Sequence, residues 1–255
     1  MVSIDALTAF LDNYMGKSEE IVRVDPDMAN GLQVRGRTEV ETLVTGVSAS
    51  MRFFEEAVAL GADALLVHHA LTMPGAILFG HVFTDRLAYL LRHNLSLVGY
   101  HFLLDSHPEV GNNAQILISL GARLAEPYTA EGWGWVGEFE DGVEREVILS
   151  RCAQLFSQPG VQYPFGPERV HRAVALSGGG VPRPEEMDWL MQHRIDLFVT
   201  GETREWTREM FRECSISFVG GGHYHTERLG IQALGSVVQR EMAVTVKFLD
   251  LPNPI

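Results

Sequence analysis

Residues 43–70 read LVTGVSASMRFFEEAVALGADALLVHHA, and their pattern decides the fold. Two short apolar runs, Leu43 to Val47 and Ala64 to Val67, flank a stretch in which Phe54, Ala57 and Val58 share one helical face. This is the plan of a βαβ unit. Residues 173–202 repeat it, with Ser177, Gly178, Gly179 and Gly180 in the turn where the first copy has Ser48, Ala49 and Ser50. Outward from these units, Leu7, Phe10, Leu11 and Tyr14 fall at i, i+3, i+4 and i+7 behind Ser3 as N-cap, predicting an opening amphipathic helix. Helices are expected over about 82–92 and 112–120, and strands over 95–100, 170–176, 197–200 and 216–219. Alternation of Val244, Val246 and Phe248 predicts a closing edge strand. The expected fold class is α/β, with two related α/β lobes built on mostly parallel sheets. A shift to Gly, Pro and polar residues at 127–132 sets the expected boundary, giving lobes over 1–126 and 127–255.

Composition narrows the functional classes. The 255 residues are 46% hydrophobic and carry 20 Lys and Arg against 33 Asp and Glu, a net charge of −13. Such a chain has enough apolar residues for one large or two small cores, and its sign argues against binding nucleic acid through neutralised phosphates. The only cysteines, Cys152 and Cys214, stand far apart, which suggests neither a disulfide framework nor a Cys-based zinc site. Met1 to Met15 lacks a basic region followed by an apolar run, and no stretch approaches the ~20 apolar residues of a membrane span. A cytoplasmic protein with no membrane partner is the expectation.

Open α/β sheets bind ligands beyond the carboxyl ends of their strands, and here those ends are ionisable. Ala64 to Val67 ends in His68 and His69, and Leu95 to Tyr100 ends in His101 with Asp105 four positions on. Leu197 to Thr200 leads to Glu202, and Ile216 to Val219 runs through three glycines into His223, His225 and Glu227. Imidazoles and carboxylates are the ligand set of zinc, manganese, iron or nickel. Adjacent histidines on an extended chain point to opposite sides, so His68 and His69 suit two neighbouring ions. Glu227 is the natural bridge, and His223 and Asp105 complete the shells. The expected site lies at strand carboxyl ends between the lobes, with residues 220–255 packing back toward it. Thr226 is a candidate cap for the helix that follows. The G-x-G-x-x-G of Gly132, Gly134 and Gly137 is followed by a strand-like run, so a dinucleotide site is not indicated. Ser177 lacks a base at a recognisable spacing, and Gly178 to Gly180 offer backbone amides to an anion or simply form a tight turn.

The motifs Asn30-Gly31-Leu32-Gln33-Val34, Val67-His68-His69, Tyr100-His101 with Leu104-Asp105, Gly111-Asn112-Asn113, Thr200-Gly201-Glu202 and Gly222-His223 with Thr226-Glu227-Arg228 span almost the whole chain. In that order they resemble the Nif-three-like family, the GTP cyclohydrolase I type 2 homologues, in its short form without an inserted domain. The resemblance implies a two-lobed α/β protein, a ring-shaped homohexamer, and two divalent ions per subunit on His68, His69, Asp105, His223 and Glu227. His101 and Glu202 match family motifs and are taken as proton-transfer or supporting residues. Tyr224 stands where some relatives are expected to carry a second histidine. The implied activity is hydrolytic opening of the GTP imidazole ring with release of formate. The same ligands would equally serve a phosphoester hydrolase, a scaffold or a metal-handling protein. A nucleotide or phosphorylated small molecule is the expected ligand, with Arg35, Arg204 and Arg228 as candidate anchors. Trp133, Trp135 and Phe139 are candidates for burial between subunits.

Overall fold

The computed structural model describes residues 1–72, 79–129 and 132–255. Contacts divide these into two units, one formed by Met1–Leu104 with Gly230–Leu251 and the other by Asp105–Leu229 with Pro252–Ile255.

The first unit opens with β1 (Val2–Ser3), α1 (Ile4–Tyr14), α2 (Ile21–Val24), β2 (Gly31–Val34) and β3 (Glu39–Val40). Ser3 caps α1 as its sequence suggests, accepting from the Ala6 amide at 3.1 Å. Two successive βαβ units follow: β4 (Thr42–Ser48), α3 (Met51–Ala59), β5 (Ala64–His69), α4 (His81–Arg92) and β6 (Ser96–Gly99). The division between units falls inside α5 (Phe102–Ser106). The second unit then carries α6 (Asn112–Leu120), β7 (Arg123–Tyr128), β8 (Gly134–Glu144), α7 (Arg145–Leu155), β9 (Val161–Tyr163) and β10 (Arg169–Leu176). A 3-10 turn at Pro184–Glu186 leads to α8 (Met187–Gln192), β11 (Leu197–Thr200), α9 (Thr207–Glu213) and β12 (Ser217–Gly220). Helix α10 (His223–Glu241) starts in the second unit and ends in the first, where β13 (Thr245–Phe248) is the edge strand expected from its alternation.

The first sheet has the order β13-β4-β5-β6-β2, all parallel except β2. The second has the order β7-β8-β10-β11-β12-β9, and only β10, β11 and β12 run parallel. The expectation of mostly parallel sheets therefore holds in the first unit and is corrected in the second. Residues 129–133 are too few for the crossover that a parallel β7–β8 pair would need. The two sheets nevertheless share a plan. Strands β4, β5, β6 and strands β10, β11, β12 lie side by side in chain order, and each trio is flanked by an antiparallel strand from earlier in the chain, β2 or β9.

Packing explains why the division does not coincide with the composition shift. Ile116, Leu117 and Leu120 of α6 are buried against Phe139, Ala173, Ala175 and Val199, so α6 belongs with the second sheet. Residues 127–132, of which 130 and 131 lie outside the described residues, fall at the β7–β8 connection within that sheet. Phe139 sits inside the same core and is a core residue, and Trp135, partly buried, packs against it. Among the described residues, no helix is long and apolar enough to cross a membrane.

Cys152 lies wholly inside this core, and burial pushes its thiol up to about 12, whereas Cys214 is only partly covered. Because the thiolate is the reactive form, a disulfide reagent at pH 8 is expected to modify Cys214 first and Cys152 only after denaturant is added. Equal rates for both thiols in the native protein would contradict this packing.

Candidate metal centre

In the first unit, the ladder between the parallel strands β5 and β6 ends two residues before β5 does. Their last ladder pair is Val67 with Gly99, and the Tyr100 amide donates to the Val67 carbonyl at 3.1 Å. Tyr100 is thereby laid beside His68, whose Nδ1 lies 2.9 Å from the Tyr100 carbonyl oxygen. A carbonyl only accepts, so Nδ1 carries the proton and Nε2 keeps its lone pair. His69 Nδ1 lies 3.0 Å from Ser48 Oγ at the end of β4. His101 Nδ1 lies 3.0 and 3.1 Å from the two carboxylate oxygens of Asp25. One nitrogen from each of the three rings lies within 4.8 Å of the others. The His68 and His69 ring centroids are 4.6 Å apart, so the pair does not point to opposite sides as regular pleating would have it. Past Val67 the β6 ladder has ended and only β4 still pairs with β5, which frees the last residues to turn.

Asp25 was invisible to spacing arguments, standing 76 positions from the ring it meets. It is 4% exposed and also accepts from Asn30 Nδ2 at 2.8 Å and from the Phe102 amide at 3.2 Å. Burial opposes its ionisation, but the donors from His101, Asn30 and Phe102 prevail and hold its carboxyl below the usual range. Asn30 also accepts from the His101 amide at 3.0 Å. The sequence signal that leads to Asp25 is therefore Asn30, which heads the first of the quoted motifs.

In the second unit, β12 ends in three glycines and α10 begins at His223, placing His223 and Glu227 one turn apart with Nε2 and Oε1 at 3.1 Å. Glu202, just past β11, lies on the other ring nitrogen, 2.7 Å from Nδ1, and its second oxygen is 3.1 Å from Arg204. The bond to Glu227, joined by Glu202 and opposed by burial, lifts the His223 imidazole to about 9. Asp105 is 7% exposed, and its Oδ1 accepts from Asn112 Nδ2 at 2.9 Å and Ser177 Oγ at 3.0 Å. Ser177 is thus engaged with a carboxylate and has no histidine in the role of base. Asn113 fixes the same turn by accepting from the Ser177 amide at 2.6 Å.

Gly178 shows that the carboxylate is given its space by the backbone. A Cβ there would stand 2.1 Å from Glu227 Oε1 and 3.0 Å from His223 Nε2, and the residue has φ +58°. Only glycine meets both conditions without strain. The amides of Gly178 and Gly180 donate to Thr226 Oγ1 and the Ser177 carbonyl, so the anion-cradle reading of these two glycines is corrected to a tight turn. Thr226 is not the helix cap. It sits inside the first turn, where its hydroxyl bonds back to the Gly222 and His223 carbonyls, each at 3.0 Å. Of the candidate anchors, Arg35 pairs with exposed Asp5, Arg228 meets the Leu155 carbonyl and Ser157, and Arg204 stays beside Glu202. His225 has its ring 5.5 Å from that of Tyr224.

The donor set fits divalent transition-metal ions. In the first unit Nδ1 of each imidazole is held by a carbonyl, a hydroxyl or a carboxylate, which is the outer-shell arrangement that orients Nε2 for coordination. The second unit holds the candidate anionic ligands Asp105 and Glu227 and the candidate His223, itself oriented by Glu202.

Residues 4–254 match the model of the family described as Duf34/NIF3, NGG1p interacting factor 3. A protein of Archaeoglobus fulgidus named GTP cyclohydrolase 1 type 2 homolog is 35% identical over 252 residues, 99% of each chain. One of the same name from Escherichia coli K12 is 38% identical over 227 residues, 88% of this chain and 90% of its own. The solved structure of protein ybgI, described as of unknown function, is 32% identical and superposes with a TM-score of 0.88 over 100% of both chains.

A methyl group at position 178 would displace the Glu227 carboxylate. Gly178→Ala is expected to weaken binding of manganese or zinc by ~10-fold or more, measured by equilibrium dialysis with elemental analysis. Affinity equal to wild type in a normally folded variant would show that Glu227 is not a ligand.

Proposed function

The chain belongs to the Duf34/NIF3 family, and from that premise we propose that it is a hydrolase dependent on two divalent ions held by His68, His69, Asp105, His223 and Glu227. The observation that carries the reading is the convergence of the His68 and His69 imidazoles, with that of His101 beside them, all with Nδ1 already committed. Neutral imidazoles alone would leave the charge of two dications uncompensated, and the buried carboxylates Asp105 and Glu227 would offset part of it. Divalent ions, when bound, supply Lewis acidity that makes water a competent nucleophile near neutral pH.

The chain's own groups then have distinct tasks. Glu227 would supply carboxylate oxygens to hold the ions. Glu202 orients His223 through Nδ1, and His101 takes the proton from the attacking water and returns it to the leaving nitrogen. Arg204, half exposed beside Glu202, is the anchor for a phosphate of the substrate. The specific substrate proposed is GTP, whose imidazole ring is opened and which loses formate. It is the activity in the name carried by the relatives from Archaeoglobus fulgidus and Escherichia coli. Subunits are proposed to assemble as a homohexamer. Phe79, Val82 and Leu91, large apolar residues exposed on and beside α4, offer area for such a contact.

Metal-reconstituted protein is expected to hold about two divalent ions per subunit by elemental analysis, and the His68→Ala, Glu227→Ala double variant to lose them. With both sites filled, formate should be released from GTP. Glu227→Gln should abolish that release, and His101→Ala should lower kcat while metal content stays near wild type. No formate from GTP would exclude the cyclohydrolase form, and intact nucleotides and phosphoesters across a panel would exclude a hydrolase of either kind. Light scattering at micromolar concentration should give six times the subunit mass. A monomer over a wide concentration range would refute the assembly.

A further inference from the structure

We propose that Asp25 is the positioning residue of His101, fixing its proton on Nδ1 and leaving the lone pair on Nε2. The proposal rests on the hydrolase reading for its chemical purpose, but its structural content stands on geometry within the first unit alone. Three groups surround the Asp25 carboxylate: His101 Nδ1, the Asn30 side-chain amide and the Phe102 amide. The last two only donate through the atoms concerned, so the carboxylate is the acceptor of the cluster and Nδ1 is its third donor. Asn30 closes the arrangement by accepting from the His101 amide, so one loop residue locks both partners. The His101 ring is further confined by stacking on Phe102, with centroids 4.3 Å apart. A ring held by two carboxylate contacts and a stacked neighbour cannot turn to exchange its nitrogens without breaking all of them.

The position of His101 in the fold gives an independent reason to expect an orienting carboxylate there. Strands β6 and β12 are the third members of the two matched parallel trios, and the chain leaving each soon reaches a histidine, His101 or His223. Each is followed four residues later by a carboxylate, Asp105 or Glu227. Each has Nδ1 on a further carboxylate, Asp25 or Glu202, although these come from unrelated places in the chain. The same device has been assembled twice from different sequence.

The Nδ1–H that Asp25 accepts leaves the lone pair of His101 on Nε2, and no proton moves to Asp25.

The test is a nitrogen spectrum of the full chain labelled with 15N at its ten histidines, with His101→Gln identifying the His101 signals by their loss. Wild type is expected to show His101 with a protonated Nδ1 and an unprotonated Nε2 at alkaline pH in the metal-free state. In Asp25→Asn the Nδ1 signal should broaden or shift toward a mixture of tautomers. A wild-type His101 protonated at Nε2 would overturn the proposal with no variant needed, as would an unchanged spectrum in Asp25→Asn. Asn30→Ala removes a partner but leaves the carboxylate, so it should keep the Nδ1–H form even if it lowers stability. Loss of that form would assign the positioning to Asn30. In turnover of GTP, Asp25→Asn should reduce kcat by ~100-fold with KM and metal content retained, and Asp25→Glu should restore part of the rate. A wild-type rate in Asp25→Asn would contradict the role. If wild-type protein hydrolyses nothing, the hydrolase reading fails and the spectra alone decide whether Asp25 sets the tautomer.

Discussion

In each unit, the direction of the candidate ligands depends on where the Nδ1 atoms of its histidines are anchored. His68 is tied to a backbone carbonyl, His69 to a hydroxyl, and His101 and His223 to carboxylates. An imidazole has two useful nitrogens and one rotatable ring, so holding one nitrogen settles both the direction and the protonation of the other. Parallel strands make such anchoring possible because their carboxyl ends arrive at one edge together. Ser48 at the end of β4 reaches His69 at the end of β5, and Tyr100, just after β6, reaches His68. An antiparallel meander would put successive strand ends at opposite edges. The second sheet accordingly keeps its three parallel strands adjacent where it builds Glu202 and His223, and uses antiparallel pairing elsewhere.

Each unit also has to keep charged groups out of water. Asp25, Asp105 and Glu227 are all less than a tenth exposed, in a chain of net charge −13. A buried carboxylate is tolerable only with donors around it, since its desolvation otherwise exceeds what one hydrogen bond returns. Asp25 accepts from three residues, and Asp105 accepts on one oxygen from Asn112 and Ser177. The asparagines Asn30, Asn112 and Asn113 are therefore as much a part of the arrangement as the histidines. Asn112 and Asn113 are wholly buried, and Asn113 joins the Asp105 carbonyl, the Trp133 carbonyl and the Ser177 amide.

Much of the architecture was legible because hydrophobic period reports burial directly. Asn112–Leu120 and Leu197–Thr200 have the bounds their periodicity predicts, and Ser3 caps the first helix. What stayed hidden depends on contacts distant in sequence. The shift at 127–132 resembles a linker in composition, yet it falls at the connection between two paired strands, and composition does not record that α6 packs on the second sheet. His68 and His69 defy the alternation rule because the ladder on one side ends a residue before them. Trp135 and Phe139 look like spare aromatics until β8 is seen to lay them against α6 and α7. Asp25 has no local pattern at all, and its contacts with Asn30 and His101 are what tie it to the motifs.

The second unit shows how such a cluster can be stable before any cation reaches it. Glu202, His223 and Glu227 bring two carboxylates to one imidazole, and the imidazole is lifted to about 9. At neutral pH that makes an imidazolium between two anions, so the proton supplies part of the positive charge that a divalent cation would supply in full. A cation held by His223 Nε2 and Glu227 would take the place of that proton. The glycine at 178 keeps that position clear, since a side chain there would occupy it whether or not a proton or an ion did.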